Sequence, residues 1–154
     1  MKLFLSLVFV AAALVSGCAK HDHEKPASGG HVHTAPHGGT LVELGEHAYN
    51  LELVREGEAG KLVAYVLDGH AENFIRIAAP SIEVVAQTGG QRRVLTLAAT
   101  ANVATGETVG STSQFEVQAD WLKTIGDFNG EIGVVDIRGT KFGPAAFSLK
   151  KGAK

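Results

Sequence analysis

Between residues 38 and 149 the chain is written in short runs of alternating apolar and polar side chains, the period-two signature of strands with one face on a core. Tyr49, Leu51 and Leu53 alternate with Asn50, Glu52 and Val54, and Leu62–Leu67 resumes after the turn-rich Glu56-Gly57-Glu58-Ala59-Gly60. Ser81–Gln87 sets Ile82 and Val84 against Ser81 and Glu83, and Gly89-Gly90 then turns the chain. Val94–Ala99, Gln114–Gln118, Glu131–Ile137 and Ala146–Leu149 read as further strands, with a first strand following Gly38-Gly39. Only Ala119–Ile125, holding Trp121 and Leu122, reads as a helical turn, with Trp121 as a core plug. Asp127-Phe128-Asn129-Gly130-Glu131 faintly resembles a calcium loop but lacks its repeated acids, and reads as a hairpin turn. The expected fold is all-β, an antiparallel sandwich or barrel of about 7–8 strands over residues 38–154.

The hairpin across Gly57–Gly60 can be given a register. Setting Leu53 against Val63 and Leu51 against Tyr65 keeps one apolar set on one face, and places Tyr49 against Leu67 and His47 against Gly69. A two-residue slip sets His47 against Ala71 instead. Under either register His47 and His70 share one end of the hairpin with Glu46, Asp68 and Glu72.

The start of the chain has a different pattern. Met1-Lys2 precedes an apolar run, Leu3–Leu14, broken only by Ser6. A membrane-crossing helix needs about 20 apolar residues, so the run has the length of a signal-peptide core. Val15-Ser16-Gly17-Cys18 resembles the lipobox of bacterial lipoproteins, with Val15 where Leu is usual. The resemblance implies cleavage before Cys18 and attachment of lipid, including acyl chains such as palmitate, to that residue. An ordinary signal peptide with an incidental Cys is the alternative. Ala19 after the Cys implies, by resemblance to enterobacterial sorting, the outer membrane more than the inner, with the protein facing the periplasm.

Removing residues 1–17 from the 154 leaves 137, enough for one domain with its own core. The whole chain carries 14 Lys plus Arg against 16 Asp plus Glu, and loss of Lys2 deepens the net charge from −2 to −3, no footprint for nucleic acid. Residues 18–37 are polar, hold Pro26, Gly29, Gly30 and Pro36, and show no apolar period, so they read as a flexible tether. Its stretch Ala19–Pro36 would span about 60 Å extended, or roughly 25 Å as a coil.

The single Cys and the single Met both leave the pool of free ligands on processing, so metal chemistry falls to His, carboxylates and amides. All seven His lie between His21 and His70, five of them from His21 to His37. His21-Asp22-His23 and His31-Val32-His33 are His-x-His pairs whose alternate side chains project to one side of an extended chain. With His37 they form one candidate set of ligands: His21, His23, His31, His33 and His37. The end of the hairpin offers a second: His47, His70, Asp68 and Glu72. Imidazole with carboxylate suits Cu(II), Zn(II) or Ni(II). A solvated tether that happens to use His, and strand ends that are polar because turns are, remain the alternatives. Pro36-His37-Gly38-Gly39, followed by Leu41–Gly45, resembles a His-Gly-Gly segment of small periplasmic proteins and adaptor subunits of bacterial heavy-metal efflux systems. Over residues 36–54 this resemblance implies metal handling at the envelope, with His37 as a ligand and an efflux component as a partner.

No nucleophile elbow, phosphate loop or metalloprotease helix is present, so no enzyme is expected. The expectation is a lipid-anchored envelope protein that captures, senses or delivers divalent metal. The alternative is an interaction module whose β-domain binds another envelope protein.

Overall fold

A computed structural model describes residues 33–151. The segment read as a signal peptide, Cys18, His21, His23 and His31 lie outside the described residues. The described chain is all-β: β1 (Thr40–Leu44), β2 (Tyr49–Glu56), β3 (Lys61–Asp68), β4 (Ser81–Thr88), β5 (Gln91–Ala99), β6 (Gln114–Gln118), β7 (Phe128–Ile132), β8 (Val135–Ile137), β9 (Thr140–Phe142) and β10 (Ala145–Leu149). One 3-10 turn, Asp120–Lys123, interrupts them. No described helix is long and apolar enough to cross a membrane.

Eight strands form one antiparallel sheet in the order β1-β2-β3-β6-β5-β4-β7-β10, and β8 and β9 form a separate ribbon. The edge strands β1 and β10 approach one another, so the sheet curls almost into a barrel. Near-closure hides the two edges that an open sheet would expose. Inward-facing residues from every strand of the large sheet meet in one core, among them Val42, Leu51, Leu53, Ala64, Val66, Val84, Leu97, Phe115, Ile132 and Phe147. Leu122 of the 3-10 turn is buried with them, whereas Trp121 is only half buried and packs from the margin against Phe128, with Arg93 5.4 Å from its ring.

Three local expectations are corrected. In the β2–β3 hairpin Leu51 pairs with Val66, Leu53 with Ala64 and Tyr49 with Asp68, one residue away from the expected register. The loop is residues 57–60, closed by the Gly60 N–H donating to the Gly57 carbonyl, because Glu56 is still paired with Lys61. A one-residue shift exchanges the faces of a strand. Leu62, Ala64 and Val66 therefore line the core, while Tyr65 and Leu67 share the opposite face with Glu52 and Asn50. Leu62–Leu67 is apolar on both faces, so its period could not choose between them.

Asp127–Glu131 is not a turn. Phe128 to Ile132 is β7, with Phe128, Gly130 and Ile132 facing inward. Gly130 is there for space, since a Cβ would run into the Phe147 ring and the Val85 carbonyl. The run Glu131–Ile137 is two strands, not one. Ile132 and Val135 are both buried three residues apart, a spacing that a single pleated strand cannot satisfy, and Gly133-Val134 breaks the period between them.

Candidate functional site

Two histidines are fixed by carboxylates in the same manner. Gly38 takes the left-handed conformation (φ +71°), and its N–H donates to the Ala35 carbonyl, making a tight turn just before β1. The turn lays the chain over Glu52 of β2, whose side chain is completely buried. One Glu52 oxygen accepts from the backbone N–H groups of His37 (2.7 Å) and Gly39 (2.9 Å), and the other lies 2.8 Å from His37 Nδ1. Gly39 admits this approach because a Cβ there would sit 2.5 Å from the Leu53 carbonyl oxygen. A buried carboxylate is costly without partners, and three donors supply them. A carboxylate oxygen accepts, so the His37 Nδ1 that faces it is the ring nitrogen that donates. The His37 ring stacks on Tyr65 (centroids 4.0 Å apart) and meets Phe74 at 5.6 Å.

The second case is at the β1–β2 turn. Glu43 accepts from the backbone N–H of His47 (2.8 Å) with one oxygen and lies 3.3 Å from His47 Nδ1 with the other. Here both side chains are about half exposed. Gly45, Glu46 and His47 are consecutive left-handed residues, two of them with side chains that disfavour this conformation. Gly69, just beyond β3, lets the His47 carbonyl pack where a Cβ would clash.

His33, His47 and His70 converge at this end of the barrel. The His33 ring lies edge-on to His70 (centroids 5.6 Å) and to His47 (6.2 Å). His70 stands in the loop after β3, which Asp68 closes by accepting from the Glu72 N–H (2.9 Å) and from Asn73 Nδ2 (2.6 Å). The Asn73 donation leads the causes that hold the Asp68 carboxyl below its ordinary range, helped by the backbone N–H groups of Glu72, Asn73 and His70. Ala71 in the same loop is also left-handed. Three of the four non-glycine left-handed residues described, Glu46, His47 and Ala71, thus surround the three imidazoles. Among the described residues no group of three His, Cys, Asp or Glu is arranged, as it stands, to hold a metal ion.

Beside His37 a cleft of about 400 Å³ opens between Tyr65 and Phe74 on one side and Arg76, Asn102, Thr105, Glu107 and Gln114 on the other. The buried carboxylate on its wall is Glu107, which accepts from the Ser113 N–H (2.9 Å), the Ser113 hydroxyl (2.7 Å) and the Thr105 hydroxyl (2.8 Å). Burial works to raise the Glu107 carboxyl. The Ser113 and Thr105 donations, with the Arg76 charge at 3.7 Å, outweigh it and hold the group below its ordinary range. Arg76 also donates to the Thr105 and Gly106 carbonyls, so it ties the loop between β5 and β6 to the cleft wall.

The structure places the described members of the two candidate sets as follows. His33 joins His47 and His70, whereas His37 stands on Glu52 with Tyr65 and Phe74 as neighbours. Asp68 spends both oxygens on its own loop. Glu43, Glu52, Tyr65, Phe74 and Glu107 carried no mark in the sequence reading. Glu52 could have been noticed as an acid in a strand otherwise buried, but its partnership with His37 spans 15 positions. No protein family, curated protein or solved structure matches the chain.

Proposed function

We propose that the chain is the precursor of a lipoprotein held on the bacterial envelope through Cys18, facing the periplasm, whose domain binds divalent transition metal with its histidines. It would capture, sense or deliver Cu(II), Zn(II) or Ni(II), alongside an efflux system of the same envelope, and would bind rather than catalyse. One observation carries the metal reading: His33, from the His-rich N-terminal stretch, packs its ring against His47 and His70, which arrive from two separate turns. Imidazole rings at a wet surface gain little from one another, and a shared ligand would give their meeting a use. Imidazole is the common neutral ligand for these ions, and the proposed processing would take the chain's one Cys and one Met out of the pool of ligands, which disfavours Cu(I).

The test is calorimetric titration of Zn(II), Ni(II) and Cu(II) into acyl-free protein beginning at Ala19 with its amine blocked. Binding is expected at about pH 7 and should weaken steeply towards about pH 5, because the ligands must be unprotonated imidazoles and each ion displaces protons. No binding, or affinity independent of pH, sinks the reading.

The second reading, a module that engages another envelope protein, draws on the cleft beside His37. Phe74 on its wall is 47% exposed, and the loop between β5 and β6, which supplies Asn102 and Thr105 to the cleft, carries Val103 at 95% and Val109 at 66% exposure. Exposed apolar side chains around a cleft are a common mark of a partner surface.

A further inference from the structure

We infer that His33, His47 and His70 form one three-imidazole site for a divalent first-row ion, with Glu43 as the residue that positions His47. The inference rests on the metal-binding reading above and says where on the fold the ion sits.

Spacing is the first support. An imidazole bound through nitrogen at about 2 Å puts the centroids of two rings on one tetrahedral ion roughly 5 Å apart. His33 stands 5.6 Å from His70 and 6.2 Å from His47, so both pairs lie somewhat beyond that separation and must close on binding. The rings meet edge to face, at interplanar angles of 68° and 70°, so the nitrogens do not yet converge. Turning them inward requires side-chain rotation in partly exposed residues, which is fast and local. Metal sites that form on binding are the ordinary case.

Preorganisation is the second. A metal-bound imidazole characteristically donates its remaining ring N–H to a carboxylate, which fixes tautomer and direction. Glu43 takes that place at His47, holding both the backbone N–H and Nδ1, and so leaves Nε2 as the free ligand. The backbone around the trio is also held in unfavourable conformations at Glu46, His47 and Ala71, which the fold maintains although Gly at these places would relieve them. Strain gathered at one place away from the core is the pattern of a site whose side chains must point in given directions.

Delivery of His33 is the third. Four residues later the chain is clamped at His37 and Gly39 by the buried Glu52. The clamp keeps His33 at the barrel end, so the entropy of recruiting it is largely lost on folding rather than on binding. An ion there would also tie the N-terminal stretch to the β1–β2 turn and the loop after β3.

The experiment titrates Zn(II) and Ni(II) into acyl-free, full-length mature protein and into four variants. His33→Ala, His70→Ala and His47→Asn, the last chosen because Asn tolerates the left-handed backbone, should each weaken one binding step at least 100-fold. Glu43→Gln should weaken the same step 10- to 100-fold, and Glu43→Asp should recover part of it. Paired 15N spectra of the imidazoles give a readout that loss of structure would not imitate: zinc should shift Nε2 of His47 in the wild type, and Glu43→Gln should alter the tautomer of His47 before any metal is added. If the wild type binds, these variants bind as tightly, and replacing His21, His23 and His31 instead removes the ion, the site is overturned while the metal-binding reading stands. If the wild type binds nothing, both fall together.

Discussion

Glu52 shows how one side chain can decide the conformation of a segment fifteen residues away. It is fully buried, and its partners among the described residues are three donors of the His37-Gly38-Gly39 turn: two backbone N–H groups and the His37 ring. Replacement by Gln keeps an oxygen for the two backbone N–H groups but turns an amide N–H₂ towards His37 Nδ1. The ring must then accept at Nδ1 and carry its proton on Nε2. Glu52→Gln is thus expected to invert the His37 tautomer, visible in 15N imidazole spectra, and to reduce stability by about 1–3 kcal/mol in urea denaturation. An unchanged tautomer would mean that Nδ1 does not donate to Glu52. In the sequence the turn was legible from Gly38-Gly39, and His37 stood out by type. The acceptor did not, because alternating Asn50 and Glu52 read as the solvent side of β2, and only the packing of residues 33–39 and β3 on that side removes the water.

At the scale of elements, the loop between β5 and β6 depends on Glu107 much as the His-Gly-Gly turn depends on Glu52. The Glu107 carboxyl is held below its ordinary range in the folded chain, so its ionised form contributes stability above that range. The contribution persists as pH falls to the ordinary Glu value of about 4.3 and is lost on further acidification through the lower folded value. Amide exchange at Ser113 and across residues 102–113 should therefore accelerate below about pH 4. Glu107→Gln should show faster exchange there already at neutral pH and no further acid step. An acid step that survives in the variant would assign it to another carboxylate. The β2–β3 hairpin teaches a related lesson. Its strands and its turn were plain from the sequence, but β3 is apolar on both faces, so only the four-residue loop 57–60 and the pairing with β6 settle the register.

For the whole molecule, eight strands curled to near-closure leave a domain whose edges are protected, attached to a long N-terminal region outside the described residues. The proposed anchor acts at this scale. Each acyl methylene buried in the bilayer contributes about 0.8 kcal/mol, so several chains hold the protein on the membrane essentially permanently. Cys18→Ser should abolish acylation and the cleavage that depends on it, while leaving the barrel folded. Mature wild-type protein that partitions into the aqueous phase of a detergent extraction would refute the anchor.

The sequence by itself determined the class of the fold and the extent of most strands, because alternation along a strand is a local property: each residue's face follows from that of its neighbour. Under the proposed processing, which takes Cys18 and Met1 from the pool of ligands, the composition also leaves metal chemistry to imidazole, carboxylate and amide donors. Tertiary structure decided what meets what. His33 reaches His47 and His70, His37 is given to Glu52, and Gly130 belongs to a packed strand instead of a turn, because these are contacts between segments distant along the chain. Such contacts depend on register and on the curl of the sheet. A shift of one residue reverses every face, and no run of residues read alone carries the information to exclude it.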